Sequence, residues 1–187
     1  MLRPTYPLLT ERLNLRPFRD GDFDAFHAIQ SRPDVVRYLY WEPRSQDESR
    51  EMLERRMVQT AIEQEGQGLH LAADLRASSG LVGHFSLFFA SAEHRQGEVG
   101  FVMHPDHHGH GYGTEGARLM LRLGFEELGL HRIIGRCDAR NTASARVMER
   151  LGMRREAHLI ENEWVKGEWT DELLYAMLDR EWRALAS

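Results

Sequence analysis

The chain has 187 residues, 42 % of them apolar and 28 % charged, with a net charge of -5 and a single cysteine, Cys137. This balance fits one globular domain spanning 1–187 and excludes an intrachain disulfide, a cysteine-rich metal site and a broad basic surface for nucleic acid. The first residues lack the apolar core of a signal peptide, and no window approaches the ~18 consecutive apolar residues of a membrane span, so a cytoplasmic protein is expected.

Arg12 to Arg16 alternates with period two and ends before Pro17, the pattern of a first strand. Asp20 is the expected cap of a helix reaching about Ser31, with Phe23, Phe26, Ala28 and Ile29 as its apolar positions. Ser45-x-x-Glu48 is a capping-box pattern, and Met52, Leu53, Met57 and Ile62 predict a second helix from about Gln46 to Glu65, ended by Gly66 and Gly68. Strands follow at Leu69 to Leu75, Leu81 to Phe89 and Glu98 to Met103, separated by turns at 77–80 and 93–97, and these neighbours read as antiparallel. A helix carrying Ala117, Leu119, Met120, Leu121, Leu123 and Phe125 closes at Gly129. Arg132 to Cys137 is a short strand and Thr142 to Leu151 a short helix; extended chain resumes at Met153, and Leu173 to Leu178 is the last strand. The order predicts an α/β (α+β) fold: a mixed, mostly antiparallel twisted sheet with helices on both faces.

The segment His107-His-Gly-His-Gly-Tyr-Gly-Thr-Glu115 lies where the third of these antiparallel strands gives way to a helix. Alternate glycines remove side chains that would hold a ligand off the backbone, and the unpaired N–H groups of a helix start favour an anion, so the segment is a candidate diphosphate cradle. A Walker A loop needs a lysine followed by Ser or Thr, and Tyr112-Gly113-Thr114 supplies none. A dinucleotide fingerprint is disfavoured by the Gly109-x-Gly111-x-Gly113 spacing and by its arrival after the midpoint of the chain. His104, His107, His108 and His110 match no His-Glu-x-x-His pattern, and no metal is expected. Their protonation would instead add positive charge beside a phosphate as pH falls toward 6.5.

His108-Gly-His-Gly111-Tyr-Gly113 matches the central signature of the GNAT N-acetyltransferase superfamily: Gln or Arg, two residues, Gly, one residue, Gly or Ala. Thr10-Glu-Arg-Leu-Asn-Leu-Arg-Pro-Phe18, Gly97-Glu-Val-Gly-Phe101, Gly111-Tyr-Gly-Thr-Glu115, Leu128-Gly-Leu-His-Arg132, Asn141-Thr-Ala-Ser144, Arg146-Val-Met-Glu-Arg-Leu-Gly152 and Gly167-Glu-Trp-Thr-Asp171 follow in order. Over essentially its whole length the chain therefore resembles this superfamily, and within it the RimJ/RimL-like ribosomal-protein acetyltransferases. It departs at His108, where Gln or Arg is usual, and at His110, where Lys or Arg is common.

The resemblance implies a GNAT fold that uses acetyl-coenzyme A as cosubstrate. It places the pyrophosphate on backbone groups of Gly109, His110, Gly111, Tyr112, Gly113 and Thr114, with His108 beside them, and a 3'-phosphate near Arg118, Arg146 or Arg150. The thioester oxygen would meet a backbone N–H around Phe101, Val102 or Met103, the Ser144 hydroxyl would approach the sulfur, and Asn141 would contact the pantetheine arm or the acceptor side. Glu98 is the first candidate for proton acceptor, with Glu63 or Glu65 competing. Each has a structural alternative: Glu98 as an exposed strand-start charge, Ser144 and Asn141 as local helix-start groups, Glu115 as a favourable first-turn acid. Trp164 and Trp169 fit a core, a subunit contact or the acceptor cleft. The expected reaction is acetyl transfer to a primary amine, with the α-amine of a protein N-terminus, ribosomal or other, as leading acceptor. The alternatives are a polyamine, amino acid or antibiotic-like amine, and a non-catalytic coenzyme A-binding scaffold. A homodimer is also implied; no nucleic-acid or membrane partner is.

Overall fold

The computed structural model describes residues 1–78 and 80–185. One eight-stranded sheet runs in the order β1-β2-β3-β4-β5-β6-β8-β7: β1 Leu8–Leu9, β2 Leu13–Arg16, β3 Gly68–Leu75, β4 Leu81–Ser91, β5 Gln96–Met103, β6 Arg132–Asp138, β7 Arg154–Val165 and β8 Glu168–Leu178. Every adjacent pair is antiparallel except β5 with β6. That parallel pair requires a crossover, supplied by helix α4, Tyr112–Arg122, and a π-helical turn over Leu123–Glu127. Of the turn expected at 77–80, Ser79 lies outside the described residues, as do the last two residues of the expected 1–187 domain.

Alternation along the strands sends apolar side chains to both faces of the sheet. On one face α4, α5 (Thr142–Arg150) and α6 (Asp179–Leu185) bury Ala117, Met120, Met148 and Trp182 against Leu15, Leu71, Phe85, Val99 and Ile133. On the other, α1 (Phe23–Gln30) and α3 (Gln46–Met57) bury Phe26, Ile29 and Leu53 against Ala72 and Leu81. A short α2, Pro33–Val36, follows α1. Helix α4 comes so close to β4 that a Cβ on Gly116 would stand 2.2 Å from Phe85 Cζ.

The capping box forms: Glu48 N–H donates to Ser45 Oγ at 3.2 Å and Ser45 N–H to Glu48 Oε2 at 2.8 Å. The helix it opens ends at Met57, however, and not near Glu65. Ile62 is fully buried in an extended bridge to Leu2, with both backbone bonds made, at 2.7 and 2.9 Å. Burial of this β-branched side chain against the N-terminal segment outweighs another two helical turns over the β-branched Val58, Thr60 and Ile62. Glu63 and Glu65 consequently stand in a loop, Glu63 paired with Arg3 and Glu65 accepting from Ala92 N–H at 2.9 Å. Nor does Asp20 cap α1: it opens a 3-10 turn, Asp20–Asp22, and pairs with Arg50 at 2.6 Å. Asp22 goes inward instead, accepting from Arg16 at 2.8 Å and from Arg19 N–H at 2.9 Å.

Candidate active site

The site is built where the parallel pair comes apart. β5 and β6 pair only at Gln96 with Arg132, Gly97 with Ile133 and Glu98 with Ile134. Beyond Glu98 and Ile134 both strands run on, without pairing to each other, to Met103 and Asp138. The unmatched backbone of Phe101, Val102 and Met103 therefore faces an opening in the sheet, and the crossover delivers the start of α4 to its mouth.

His104 N–H donates to Val82 O at 2.8 Å, and a 3-10 turn over Pro105–His107 leads into the glycine segment. Gly109 and Gly111 adopt φ of +80° and +81°, left-handed conformations that L side chains rarely take. Glu115 N–H is the first in α4 to find an intrahelical acceptor, Gly111 O at 3.0 Å. The N–H groups of Tyr112, Gly113 and Thr114 precede it, at the positive end of the helix dipole. Thr114 Oγ1 is buried and has no partner among the described residues.

An ion pair from the far edge of the sheet braces this loop. Glu115 Oε1 accepts from Thr10 Oγ1 at 2.6 Å and from Arg12 N–H at 2.7 Å; Oε2 accepts from Arg12 Nε at 2.7 Å. Arg12 Nη1 then donates to His110 O at 2.8 Å, and its guanidinium lies 4.8 Å from the Tyr112 ring centroid, the ring on which His110 stacks at 5.5 Å. Although burial pushes the Glu115 carboxyl upward, the bonds from Thr10 and Arg12 hold it below the usual range. Glu115 is thus more than a first-turn acid: it joins the Thr10-Glu-Arg12 motif to the cradle.

A cleft of about 370 Å³ receives Phe101, Val102 and Met103 from β5, with His108, Gly109, Gly111, Tyr112, Gly113 and Thr114 from the cradle. α5 contributes Asn141, Ser144 and Arg146 to the same cleft. His110 is the one predicted cradle residue that does not line it, because its ring is stacked on Tyr112 and its carbonyl bound to Arg12. His108 turns back, its Nε2–H donating to Met103 O at 3.3 Å. Asn141 Oδ1 accepts from Ser144 N–H at 3.1 Å, so Asn141 does cap α5, leaving its amide N–H groups for a ligand. The opposite wall, Asp34, Val35, Tyr38 and Leu39, comes from α2 and the turn after it, where the sequence holds no binding motif. The Val-Val-Arg-Tyr-Leu-Tyr run over 35–40, apolar and aromatic and helical only at its first two residues, is the signal available there.

Glu98 lies elsewhere. By strand alternation it shares a face with Gly100 and Val102, opposite the face that packs on α4. Arg136 Nε and Nη2 donate to its two carboxylate oxygens, each at 3.2 Å. Arg136 also reaches Glu172 Oε2 at 3.5 Å, and the Tyr40 hydroxyl donates to that same oxygen at 3.4 Å. Glu172 is 4 % exposed, and burial raises its pKa above the ordinary glutamate value, with Arg136 opposing the rise and Glu163 adding to it. Trp164 and Trp169 are exposed, edge to face at 5.3 Å, so the core alternative does not hold for them. Among the described residues there is no cluster of three or more metal-ligating side chains, and no helix is long and apolar enough to cross a membrane.

A family model described as an acetyltransferase (GNAT) domain matches residues 12–154. The chain belongs to the GNAT acetyltransferases. This acetyltransferase is 31 % identical over 175 residues to the uncharacterized N-acetyltransferase YnaD of Bacillus subtilis, covering 94 % of this chain and 98 % of that one. A crystal structure of a GNAT-family acetyltransferase from Bacillus anthracis superimposes with a TM-score of 0.82 at 34 % identity, covering 91 % of this chain and 97 % of the other. The spermidine N(1)-acetyltransferase of Vibrio cholerae is 25 % identical over 164 residues, covering 87 % of this chain and 91 % of that one. None of the three is named as a ribosomal-protein acetyltransferase, so it is the family that stands and not that subfamily. The enzyme transfers an acetyl group from acetyl-coenzyme A to an amine. Its residues suit that cosubstrate: left-handed glycines, free helix-start N–H groups and the orphaned Thr114 hydroxyl converge on one cleft.

Proposed function

We propose that the acceptor is a small cationic amine of the polyamine class, acetylated from acetyl-coenzyme A held in the cleft between β5 and α5. The observation that carries this reading is the face of the strand opening away from the cradle. There Glu98 and Glu172 share the Arg136 guanidinium beside Phe88, which is 41 % exposed, and the small cavity next to Tyr40 gathers Asp138, Glu163, Glu168, Asp171 and Glu172 against Arg37, Arg140 and Lys166, so that carboxylates are in excess. Such a patch attracts a cation and offers an apolar strip to its methylene chain. The spermidine-acetylating relative from Vibrio cholerae supports the same class.

In this reading the helix-start N–H groups and the backbone from Gly109 to Thr114 bind the pyrophosphate, and Arg146 takes the 3'-phosphate. Backbone N–H groups of Phe101 to Met103 polarise the thioester carbonyl, which the cosubstrate supplies as the acyl donor. The Asn141 amide orients the pantetheine arm, and the Ser144 hydroxyl gives a proton to the departing thiolate. An alkyl ammonium has a pKa near 10.4, against about 7.7–8.0 for an α-amine, so only about one polyamine nitrogen in a thousand is neutral near pH 7.4. The site must therefore remove a proton.

Coenzyme A thiol release across polyamines, amino acids, aminoglycosides and N-terminal peptides tests the reading. Polyamines should exceed peptides by at least about tenfold in kcat/KM, a preference of about 1.4 kcal/mol. Turnover confined to peptides would return the acceptor to a protein N-terminus, and acetyl-coenzyme A binding without turnover on any amine would leave a non-catalytic scaffold.

A further inference from the structure

We propose that Glu172, reached through the hydroxyl of Tyr40, and not Glu98, receives the proton that the acceptor amine gives up. The assignment rests on the active-site reading above and identifies a residue for it that no sequence motif indicated.

A carboxylate serves as proton acceptor only if its charged form is not already satisfied by a close ion pair. Glu98 fails this requirement, because Arg136 grips both of its oxygens in a two-point ion pair at 3.2 Å. Glu172 meets it. Its contacts are longer, 3.5 Å to Arg136 Nη1 and 3.4 Å to the Tyr40 hydroxyl. Burial favours its neutral form, as does the negative charge of Glu163 and Glu98. The charged and titratable groups facing it are Arg136 and Asp138 from β6, Glu98 from β5, Glu163 from β7 and Tyr40 from the segment after α2, and the same small cavity is lined by Arg37, Tyr38, Arg140, Lys166, Glu168 and Asp171.

A buried carboxylate needs a connection to the surface. Tyr40 is 59 % exposed, and its hydroxyl, between Glu172 and Glu163, is the one atom through which a proton from the cavity reaches Glu172. The balance is complete. The ammonium R–NH3+ gives one proton to the phenolic oxygen of Tyr40, as Tyr40 passes its own proton to Glu172 Oε2. The neutral amine attacks the thioester carbonyl, the C–N bond forms and the C–S bond breaks. The Ser144 hydroxyl gives its proton to the leaving thiolate and is reprotonated by the second nitrogen proton, and Glu172 afterwards loses its proton to solvent. Arg136, shared by Glu98 and Glu172, is a positioning residue.

The test is the pH dependence of kcat/KM for Glu172→Gln, Tyr40→Phe and Glu98→Gln, using whichever amine the acceptor panel identifies. Glu172→Gln should fall about 100-fold near pH 7, within the range for a lost proton acceptor, and should lose the acidic limb of the profile. An acceptor amine of pKa near 6, already neutral, should restore it to within about threefold of wild type, which a merely structural defect would not allow. Tyr40→Phe should show the same pattern, and it alone decides if Glu172→Gln does not fold or does not bind acetyl-coenzyme A. Glu98→Gln should change KM and keep the limb. The assignment is overturned if Glu172→Gln keeps the wild-type profile, if the loss is equal for both amines, or if Glu98→Gln alone removes the limb. A panel in which only peptides react sinks the polyamine class and still decides the base on peptides.

Discussion

Replacing Glu115 by Gln keeps the shape of the brace behind the cradle and removes its charge. The amide oxygen can take the place of Oε1 and keep the bonds from Thr10 and the Arg12 N–H, but the amide NH2 then faces Arg12 Nε, a donor against a donor. A charge-assisted hydrogen bond contributes about 1.5–3 kcal/mol. Arg12 is 43 % exposed, so solvent screening keeps the loss away from the upper end of that range. The net loss is then about 2 kcal/mol, or about 4–8 °C in Tm for a chain of this size. Arg12 also bonds His110 O, so its release loosens the cradle and should raise the acetyl-coenzyme A Kd about 3–10-fold. The folded-state pKa of Glu115 lies below its unfolded value, so its stabilisation is present above about pH 4.3 and is lost as pH falls through the folded value. The Tm gap between wild type and variant should accordingly be full at pH 7 and close toward pH 3, by calorimetry, with calorimetric titration giving Kd at pH 7. A variant with wild-type Tm and Kd at pH 7, or a gap that widens in acid, refutes the brace.

Gly116→Ala and Gly113→Ala make the same change three residues apart in α4. Both gain up to about 1 kcal/mol of helix propensity, but at Gly116 the methyl meets the fully buried Phe85 ring, where overpacking costs about 1–3 kcal/mol. At Gly113 it meets Val147 Cγ2 at 3.5 Å, ordinary contact. Thermal unfolding should show Gly116→Ala destabilised and Gly113→Ala not, and equal shifts would contradict this packing. Ser144→Ala should slow single-turnover acetyl transfer about tenfold or more at unchanged acetyl-coenzyme A affinity; an unchanged rate removes its role as proton donor. Burial and the neighbouring His104, His110 and His108 depress the pKa of His107, which lines the cleft, with Asp106 opposing. Its proton therefore arrives only below the ordinary value of about 6.5, and acetyl-coenzyme A affinity should climb as pH falls through that range. His107→Asn should flatten the climb, and a wild-type affinity flat between pH 5.5 and 8 would rule it out.

Local chemistry carried most of the fold and the glycine segment that lines the cleft. Period-two alternation located β2, Ser45 and Glu48 opened α3, and alternate glycines between a strand and a helix marked the segment at the mouth of the cleft. Features that depend on distant partners were not legible. Ile62 falls within a helical spacing pattern, and only its bridge to Leu2, across the chain, takes it out of α3. His110 sits between residues that line the cleft, yet Arg12 holds its carbonyl and Tyr112 its ring outside it. Glu98 stood in a recognisable motif, yet its ion pair comes from Arg136 on a strand that follows the crossover. Glu172 carried no signal at all, since its burial depends on which strands flank β8 and on a tyrosine well over a hundred residues earlier.

The early end of pairing between β5 and β6 also has a kinetic consequence. In the reading proposed above the opening is a passage through the sheet, with the acyl donor on one face and the amine on the other, so neither must leave before the other arrives. No relay of the acetyl group through the protein is needed. The only cysteine thiol is unsuited to one, because burial pushes Cys137 up to about 12 and leaves it 9 % exposed. Initial rates measured against both substrates should therefore give intersecting double-reciprocal lines; parallel lines, the pattern of a covalent acetyl-enzyme, would mean that the two substrates share one entrance after all.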